Sequence, residues 1–177
     1  MKIEYYHASK YGNGAAVAHE FRQQMATMGV TVNIRHVREA RPRELPEADL
    51  YLISSPGRFG KPIGDMKRFL KHVELPPGTR YAVLVTELRP GATQPESRDA
   101  SEEDGKCQQV IPFINGALQK KGLVNVAEGK VFVTGLKGPL EEGWHEKVAD
   151  FVSRVPVPRP GAAVDEIPAD SQTALVA

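Results

Sequence analysis

Residues 3–14 read IEYYHASKYGNG, and the character of the sequence changes within them. The apolar and aromatic start predicts a strand over residues 3–7, and the Ser, Gly and Asn that follow are turn-forming residues. Apolar residues then recur at helical spacing: Val17, Phe21, Met25 and Met28. Gly29 stands where a helix-terminating glycine is expected. We therefore predict a strand, a tight turn and a helix in direct succession.

The same alternation continues to about residue 155. The further predicted strands cover residues 31–36, 48–54, 81–86 and 126–133. The further predicted helices cover residues 66–73, 108–121 and 141–155. Strands that alternate with helices in this way indicate an α/β fold, doubly wound around a five-stranded parallel sheet. We expect one domain over residues 1–155 and a disordered tail over residues 156–177, where proline, alanine and small polar residues show no period.

Composition narrows the classes of function. Lys and Arg total 23 against 22 for Asp and Glu, so a net charge of +1 gives no electrostatic case for nucleic acid. The amino terminus is too polar for a signal peptide, and no apolar run approaches the roughly 20 residues of a membrane span. The single cysteine, Cys107, cannot form an internal disulfide. We expect a cytoplasmic protein without an integral membrane segment.

Ligands of such sheets bind outside the carboxyl ends of the strands, so the loops after the first, third and fourth strands form the candidate site. The first loop suits a phosphate, because the N–H groups and the dipole of the following helix converge there. Gly12 and Gly14 allow close backbone approach, while Ser9 and Asn13 add polar groups. Turns also use these residue types simply to turn and cap, so a structural interpretation stays open.

Two other nucleotide-binding motifs do not fit. A dinucleotide fingerprint would need glycine where Val17 stands. A P-loop would need Ser or Thr after Gly60 and Lys61, where the chain has Pro62. The histidines are scattered without metal-site spacing, and His7 alone lies near the predicted site, so no metal is predicted.

The first loop resembles the S-x-[TYH]-G-[NS]-T loop of flavodoxin-like proteins. The matching residues are Ser9, Lys10, Tyr11, Gly12 and Asn13. The resemblance implies a flavodoxin-like sandwich with strand order 2-1-3-4-5 and FMN as cofactor. Gly14 departs from the pattern, since the family commonly has a threonine whose hydroxyl touches the phosphate. Loss of that contact would weaken binding by roughly 0.5–1.5 kcal/mol.

The second loop resembles the family segment that wraps the isoalloxazine ring. The residues involved are Ser55, Pro56, Gly57, Arg58, Phe59 and Gly60, followed by a helix with Lys67, Phe69 and Leu70. In the family, backbone groups of this loop meet the flavin nitrogens and an aromatic packs on the ring. Phe59 is the candidate for that stacking, with a core aromatic beside a turn as the alternative.

The third loop begins at Thr86, Glu87 and Leu88, where the family closes the other flavin face, often with an aromatic. This chain has no aromatic until Phe113. Residues 87–106 are polar and aperiodic, and we predict a long loop or lid there.

The resemblance implies a redox protein that transfers electrons between partners or reduces a quinone-like substrate, as a monomer or homodimer. The S-K-Y-G and R-F-G-K segments are similar to the subgroup that includes menaquinone-dependent protoporphyrinogen oxidase, so an FMN-dependent oxidoreductase is one expectation. No catalytic residue is assigned. Electron-carrier flavodoxins are strongly acidic, whereas this chain places Lys10, Arg58, Lys61 and Arg89 in its site loops. The alternative is an interaction module of the same fold with weak or lost FMN binding.

Overall fold

The computed structural model of the chain describes residues 1–58, 60–90, 109–135 and 137–157, with Arg58 described by its backbone alone. Phe59, most of the predicted lid and nearly all of the predicted tail lie outside the described residues.

Parallel strands form the centre of the molecule. They are β1 (Lys2–His7), β2 (Thr31–His36), β3 (Leu50–Ser54), β6 (Arg80–Leu88) and β7 (Val124–Val133). Their order in the sheet is β2-β1-β3-β6-β7, and every neighbouring pair is parallel. Between β3 and β6 the chain adds an antiparallel hairpin of two short strands, β4 (Gly57–Arg58) and β5 (Lys61–Pro62). The predicted order of the five main strands is confirmed.

Helices cover both faces of the sheet. They are α1 (Asn13–Thr27), α2 (Gly64–His72), α3 (Val110–Gln119) and α4 (Trp144–Arg154). One core joins α1 and α4 to the sheet, with Phe21 and Phe151 at its centre, and a second core joins α2 and α3 to the opposite face through Phe69 and Ile114. This two-faced arrangement is the doubly wound fold that the sequence predicts.

The two cores follow from the period of the strands. Successive side chains of a strand point to opposite faces, so Tyr5 packs against Phe21 at 5.5 Å between ring centroids while Tyr6 packs against Phe69 at 5.2 Å. Both tyrosines have no solvent exposure. Strand β1 therefore contributes an aromatic side chain to each of the two cores, one on each face of the sheet.

Several predicted boundaries are corrected. Helix α1 ends at Thr27, so Met28 is exposed rather than part of the core. Strand β7 begins at Val124 and runs unbroken through Gly129. Helix α4 begins only at Trp144. Glu141, which was expected to open this helix, instead contacts the end of β7, where its side chain accepts a hydrogen bond from the Phe132 N–H at 2.8 Å.

None of the described helices combines the length and apolar character that crossing a bilayer requires.

Gly129 allows a close approach that any side chain would block. A Cβ there would lie 2.7 Å from the Phe151 ring and 2.8 Å from a Leu84 methyl group. We expect Gly129→Ala to lower the free energy of unfolding by about 1–3 kcal/mol, because the core is overpacked. Gly116→Ala on α3 is the matched control: a Cβ there meets nothing within 4 Å, and stability should hold or rise by up to about 1 kcal/mol. Urea unfolding followed by circular dichroism measures both, and equal stability of the two variants would contradict the packing argument.

Candidate functional site

A cleft of about 840 Å³ opens at the carboxyl edge of the sheet. Its volume lies within the range of small-molecule sites. The predicted site residues that line it are Ser9, Lys10, Tyr11, Asn13, Gly14, Pro56, Gly57, Thr86 and Leu88. The further lining residues are Arg38, Lys61, Pro62, Ile63, Gly64, Asp65, Lys67 and Val133. The three predicted loops therefore do meet at one cleft.

The first loop presents backbone N–H donors that have no acceptor in the part of the chain that the structure describes. Gly12 has φ 89°, a left-handed conformation that favours glycine, and its N–H donates to Ser9 Oγ at 3.1 Å. The first helical bond runs from the Ala16 N–H to the Gly12 carbonyl at 2.9 Å. The N–H groups of the residues between them have no acceptor within the helix. No acidic residue occupies the first turn of α1, so this end of the cleft suits an anion.

Gly14 has a packing reason for its departure from the family pattern. A Cβ at this position would lie 3.3 Å from Ser9 Cβ, tighter than ordinary side-chain contact. A side chain at position 14 would therefore require Ser9 to shift by a few tenths of an ångström.

Asn13 joins two loops. Its side-chain amide donates a hydrogen bond to the Lys137 carbonyl at 3.1 Å, which ties the start of α1 to the connection between β7 and α4. The amide therefore has a structural partner, although the residue also lines the cleft.

Ser55 lies beneath the cleft and not on its surface. It is fully buried, its hydroxyl donates to the Pro56 carbonyl at 3.0 Å, and its own carbonyl accepts from the Thr86 N–H at 3.2 Å. These bonds continue the pairing of β3 with β6 and hold Pro56 and Gly57 at the cleft wall. Gly60 is also buried and does not line the cleft.

Glu87, which was predicted to contact the ligand, does not line the cleft. Strand β6 continues through Leu88, so Thr86 and Leu88 face the cleft while Glu87 points to the other side. Its carboxylate is buried, lies 2.8 Å from Lys130 Nζ and packs beneath Gly57, where a Cβ would come within 2.9 Å of Glu87 Cγ. Within the described ranges, no donor makes a well-oriented hydrogen bond to either carboxylate oxygen.

His7 supports the first loop from below. Its Nδ1 accepts a hydrogen bond from the Ser9 N–H at 3.4 Å, and its ring meets the His36 ring edge-on at 5.2 Å between centroids. Burial, and then the charge of His36, lower the pKa of His7 to about 4. The imidazole is therefore neutral near pH 7 and acts as an acceptor.

The cleft is rich in positive charge. Lys10, Lys61 and Lys67 line it, and the Arg38 Nε is paired with Asp65 at 2.7 Å. No group of three or more His, Cys, Asp or Glu residues in the described part of the chain could hold a metal ion. The arrangement therefore suits an anionic organic ligand.

Solved structures share this architecture. A flavodoxin from Streptococcus pneumoniae TIGR4 superposes with a TM-score of 0.65 at 16% identity, over 87% of this chain and 97% of that one. Flavodoxin 2 from Bacillus cereus gives a TM-score of 0.65 at 18% identity, over 87% and 97%. The chain has the flavodoxin-like fold. The rubredoxin oxygen:oxidoreductase of Desulfovibrio gigas contains the same flavodoxin-like fold, with a TM-score of 0.64 at 12% identity over 87% of this chain and 35% of that one.

No family model matches the sequence, and no curated protein matches it. Identities this low show the flavodoxin-like fold alone, and nothing in these matches supports the protoporphyrinogen oxidase subgroup.

The pKa of His7 leads to a prediction for stability. Because the pKa is lower in the folded chain than its ordinary 6.5, the unfolded chain takes up the proton first as the pH falls. The free energy of unfolding that neutral His7 contributes is fully present above pH 6.5 and is lost as the pH falls from 6.5 to about 4. We expect the native chain to lose about 1–2 kcal/mol more than His7→Asn over this interval, a value reduced from full linkage because the ring keeps some solvent access.

Denaturant unfolding at a series of pH values measures the difference. His72→Asn is the control, since this histidine lies at the far end of α2 from the cleft. Parallel pH profiles for the native chain and His7→Asn would show that His7 does not destabilise the fold on protonation.

Proposed function

We propose that this chain binds one FMN in the cleft and serves as a redox protein. The observation that carries the proposal is the pairing, within one cleft, of unused N–H donors at the start of α1 with an apolar far wall. FMN has the same division, with an anionic phosphate at one end and a planar ring at the other. The flavodoxin-like fold makes this the natural site for a ligand, at the carboxyl edge of the sheet.

The phosphate would lie against the first loop. The unused N–H groups of α1 donate to it, the Ser9 hydroxyl stabilises the Gly12 turn, and Lys10 adds positive charge at the cleft. Direct hydrogen bonds to a charged acceptor are stronger than neutral ones, so several backbone donors offset the missing threonine hydroxyl.

The ring would lie toward the hairpin and the ends of β6 and β7. The apolar residues that line this part of the cleft, beside Lys61 and Lys67, are Pro56, Pro62, Ile63, Leu88 and Val133. Leu88 stands at the position where an aromatic was expected, and an aliphatic side chain covers a ring face by dispersion contact without stacking. Phe59, the proposed stacking residue, lies outside the described residues.

When bound, FMN supplies the electron-transfer chemistry, and the protein tunes it by charge and contact. Lys10, Lys61 and Lys67 favour a ligand that gains negative charge on reduction. Glu87 opposes them little, since its charge is paired with Lys130. We infer that electrons pass to a partner protein or to a quinone-like substrate, with no acid or base required from the chain.

A second candidate function is an interaction module that binds FMN weakly or not at all. The crowding at Gly14 and the aliphatic Leu88 favour it, because each removes a contact that the family commonly makes to FMN. Cofactor binding separates the two candidates.

Titration of the protein with FMN and with riboflavin tests the site. We expect one FMN per chain and tighter binding of FMN than of riboflavin, because only FMN has the phosphate. Lys10→Glu should weaken FMN binding about five- to tenfold and riboflavin binding less than twofold, through repulsion of the phosphate. Visible absorption and flavin fluorescence report both affinities.

Lys120→Glu is the matched control for that experiment. Lys120 is an exposed lysine just after α3 and does not line the cleft, so its reversal should leave both affinities unchanged. No retained FMN at micromolar concentration would refute the flavoprotein and favour the interaction module.

Reduction potentials test the electrostatic part of the proposal. A triple variant of the FMN-loaded protein, with Lys10→Gln, Lys61→Gln and Lys67→Gln, tests this tuning. Its potential for full reduction should be lower by about 20–60 mV, because three screened positive charges are removed. Lys120→Gln should leave it unchanged. A native potential as low as that of acidic flavodoxins, or one insensitive to the triple change, would exclude tuning by these lysines.

A further inference from the structure

We propose that Lys61, Lys67 and Phe113 form a docking surface, the basic rim, for an acidic patch on a partner protein. The inference rests on the proposed redox function, since it places the partner beside the cleft that would hold FMN. It also names the chemistry by which that partner is recognised.

The three residues come together at one side of the cleft. Lys61 lies on β5 and Lys67 on α2, and both are exposed and line the cleft. Phe113 lies on α3, which packs beside β5, and the Lys67 Nζ is 6.0 Å from the centroid of its ring. Phe113 is 39% exposed, while its neighbour Ile114 on α3 is buried. The ring thus faces outward beside the lysines.

Among the described residues, the lysines of the basic rim have no carboxylate partner. In residues 1–58, 60–90, 109–135 and 137–157, no ion pair includes Lys61 or Lys67, although nearby Arg38 pairs with Asp65. Within the described part of the chain, the charge of the basic rim is therefore uncompensated, in a protein whose net charge is only +1. A local field of this kind steers a partner of opposite charge to one face of the molecule.

A similar pair lies elsewhere on the cleft lining. Lys10 Nζ is 5.4 Å from the centroid of the Tyr11 ring, and Tyr11 is 51% exposed. Both residues belong to the first loop and line the cleft. Lysine and an exposed aromatic thus recur together at this edge of the sheet.

Phe113 favours a protein over a small anion. It does not line the cleft, so the apolar part of the basic rim extends beyond the space that a bound small molecule occupies. Exposed aromatics combined with charge are typical of protein interfaces, where the aromatic supplies buried area and the charges supply orientation. A small anion held in the cleft would gain nothing from this ring.

Fluorescence anisotropy with a labelled glutamate-rich peptide carrying interspersed leucines tests the basic rim. The purified protein is measured with and without saturating FMN, at low and at physiological salt. We expect the peptide to bind, more weakly as salt rises, and the same peptide with lysine replacing glutamate not to bind. Lys61→Glu combined with Lys67→Glu should weaken binding at least tenfold, and Phe113→Ser about threefold.

Lys120→Glu again serves as the matched charge reversal and should change peptide affinity less than twofold. A single-stranded oligothymidine is the second probe. Equal weakening of peptide and oligothymidine binding by the double variant, with no effect of Phe113→Ser on the peptide, would overturn the proposal in favour of a general polyanion surface. Peptide binding that is insensitive to the double variant would overturn it as well.

The proposed function can fail separately. Peptide binding at the basic rim without any FMN retention would support the docking surface in an interaction module and refute the flavoprotein. FMN retention with no effect of the rim variants on the peptide would support the flavoprotein and refute this docking surface.

Discussion

The burial of β1 between two parallel neighbours constrains the rest of the molecule. Ile3, Tyr5 and Tyr6 are without solvent exposure, so both faces of the sheet need a helical layer. The ladder continues past the strand ends, with the Ala8 N–H bonded to the Ser54 carbonyl and the Val37 N–H to the His7 carbonyl, at 3.0 and 2.9 Å. The loops after β1, β2 and β3 are thereby held in register at the edge where the cleft lies, and the bond from the Thr86 N–H to the Ser55 carbonyl adds the end of β6.

Two buried carboxylates show how charge is handled within this sheet. Glu4, at the start of β1, accepts from the Asn33 amide at 2.8 Å and lies 3.3 Å from Lys2 and 3.6 Å from Arg35. Glu87, near the cleft, is paired with Lys130. A buried charge costs stability unless ion pairs and hydrogen bonds compensate it. The far end of the sheet compensates its carboxylate more fully than the cleft end does, so the less satisfied polar group lies beside the candidate site.

The sequence predicts best where the signal is local. Apolar runs identified the central strands, and the Ser, Gly and Asn cluster identified the first loop. The burial of Glu87 on β6 could not be read from the sequence, because a charged residue after an apolar run is typical of a loop and its partner Lys130 lies on another strand. Arg38 at the cleft and the bond from Asn13 to the Lys137 carbonyl were invisible for the same reason, since each depends on residues distant in sequence. The sequence shows Gly14 as a departure from the family motif, but the close approach of Gly14 to Ser9 arises only in the folded chain.

The phosphate of the ligand and the proposed partner protein would draw on different cations of one edge. A phosphate at the start of α1 would be compensated by backbone donors and by Lys10, all within the first loop. Lys61 and Lys67 lie on the hairpin and on α2, so their charge would remain available after the ligand is bound. A bound anion therefore need not abolish the field of the basic rim. Because the ring end of the ligand would lie toward that same hairpin, a partner docked on the basic rim would approach the redox-active part of FMN and not its phosphate.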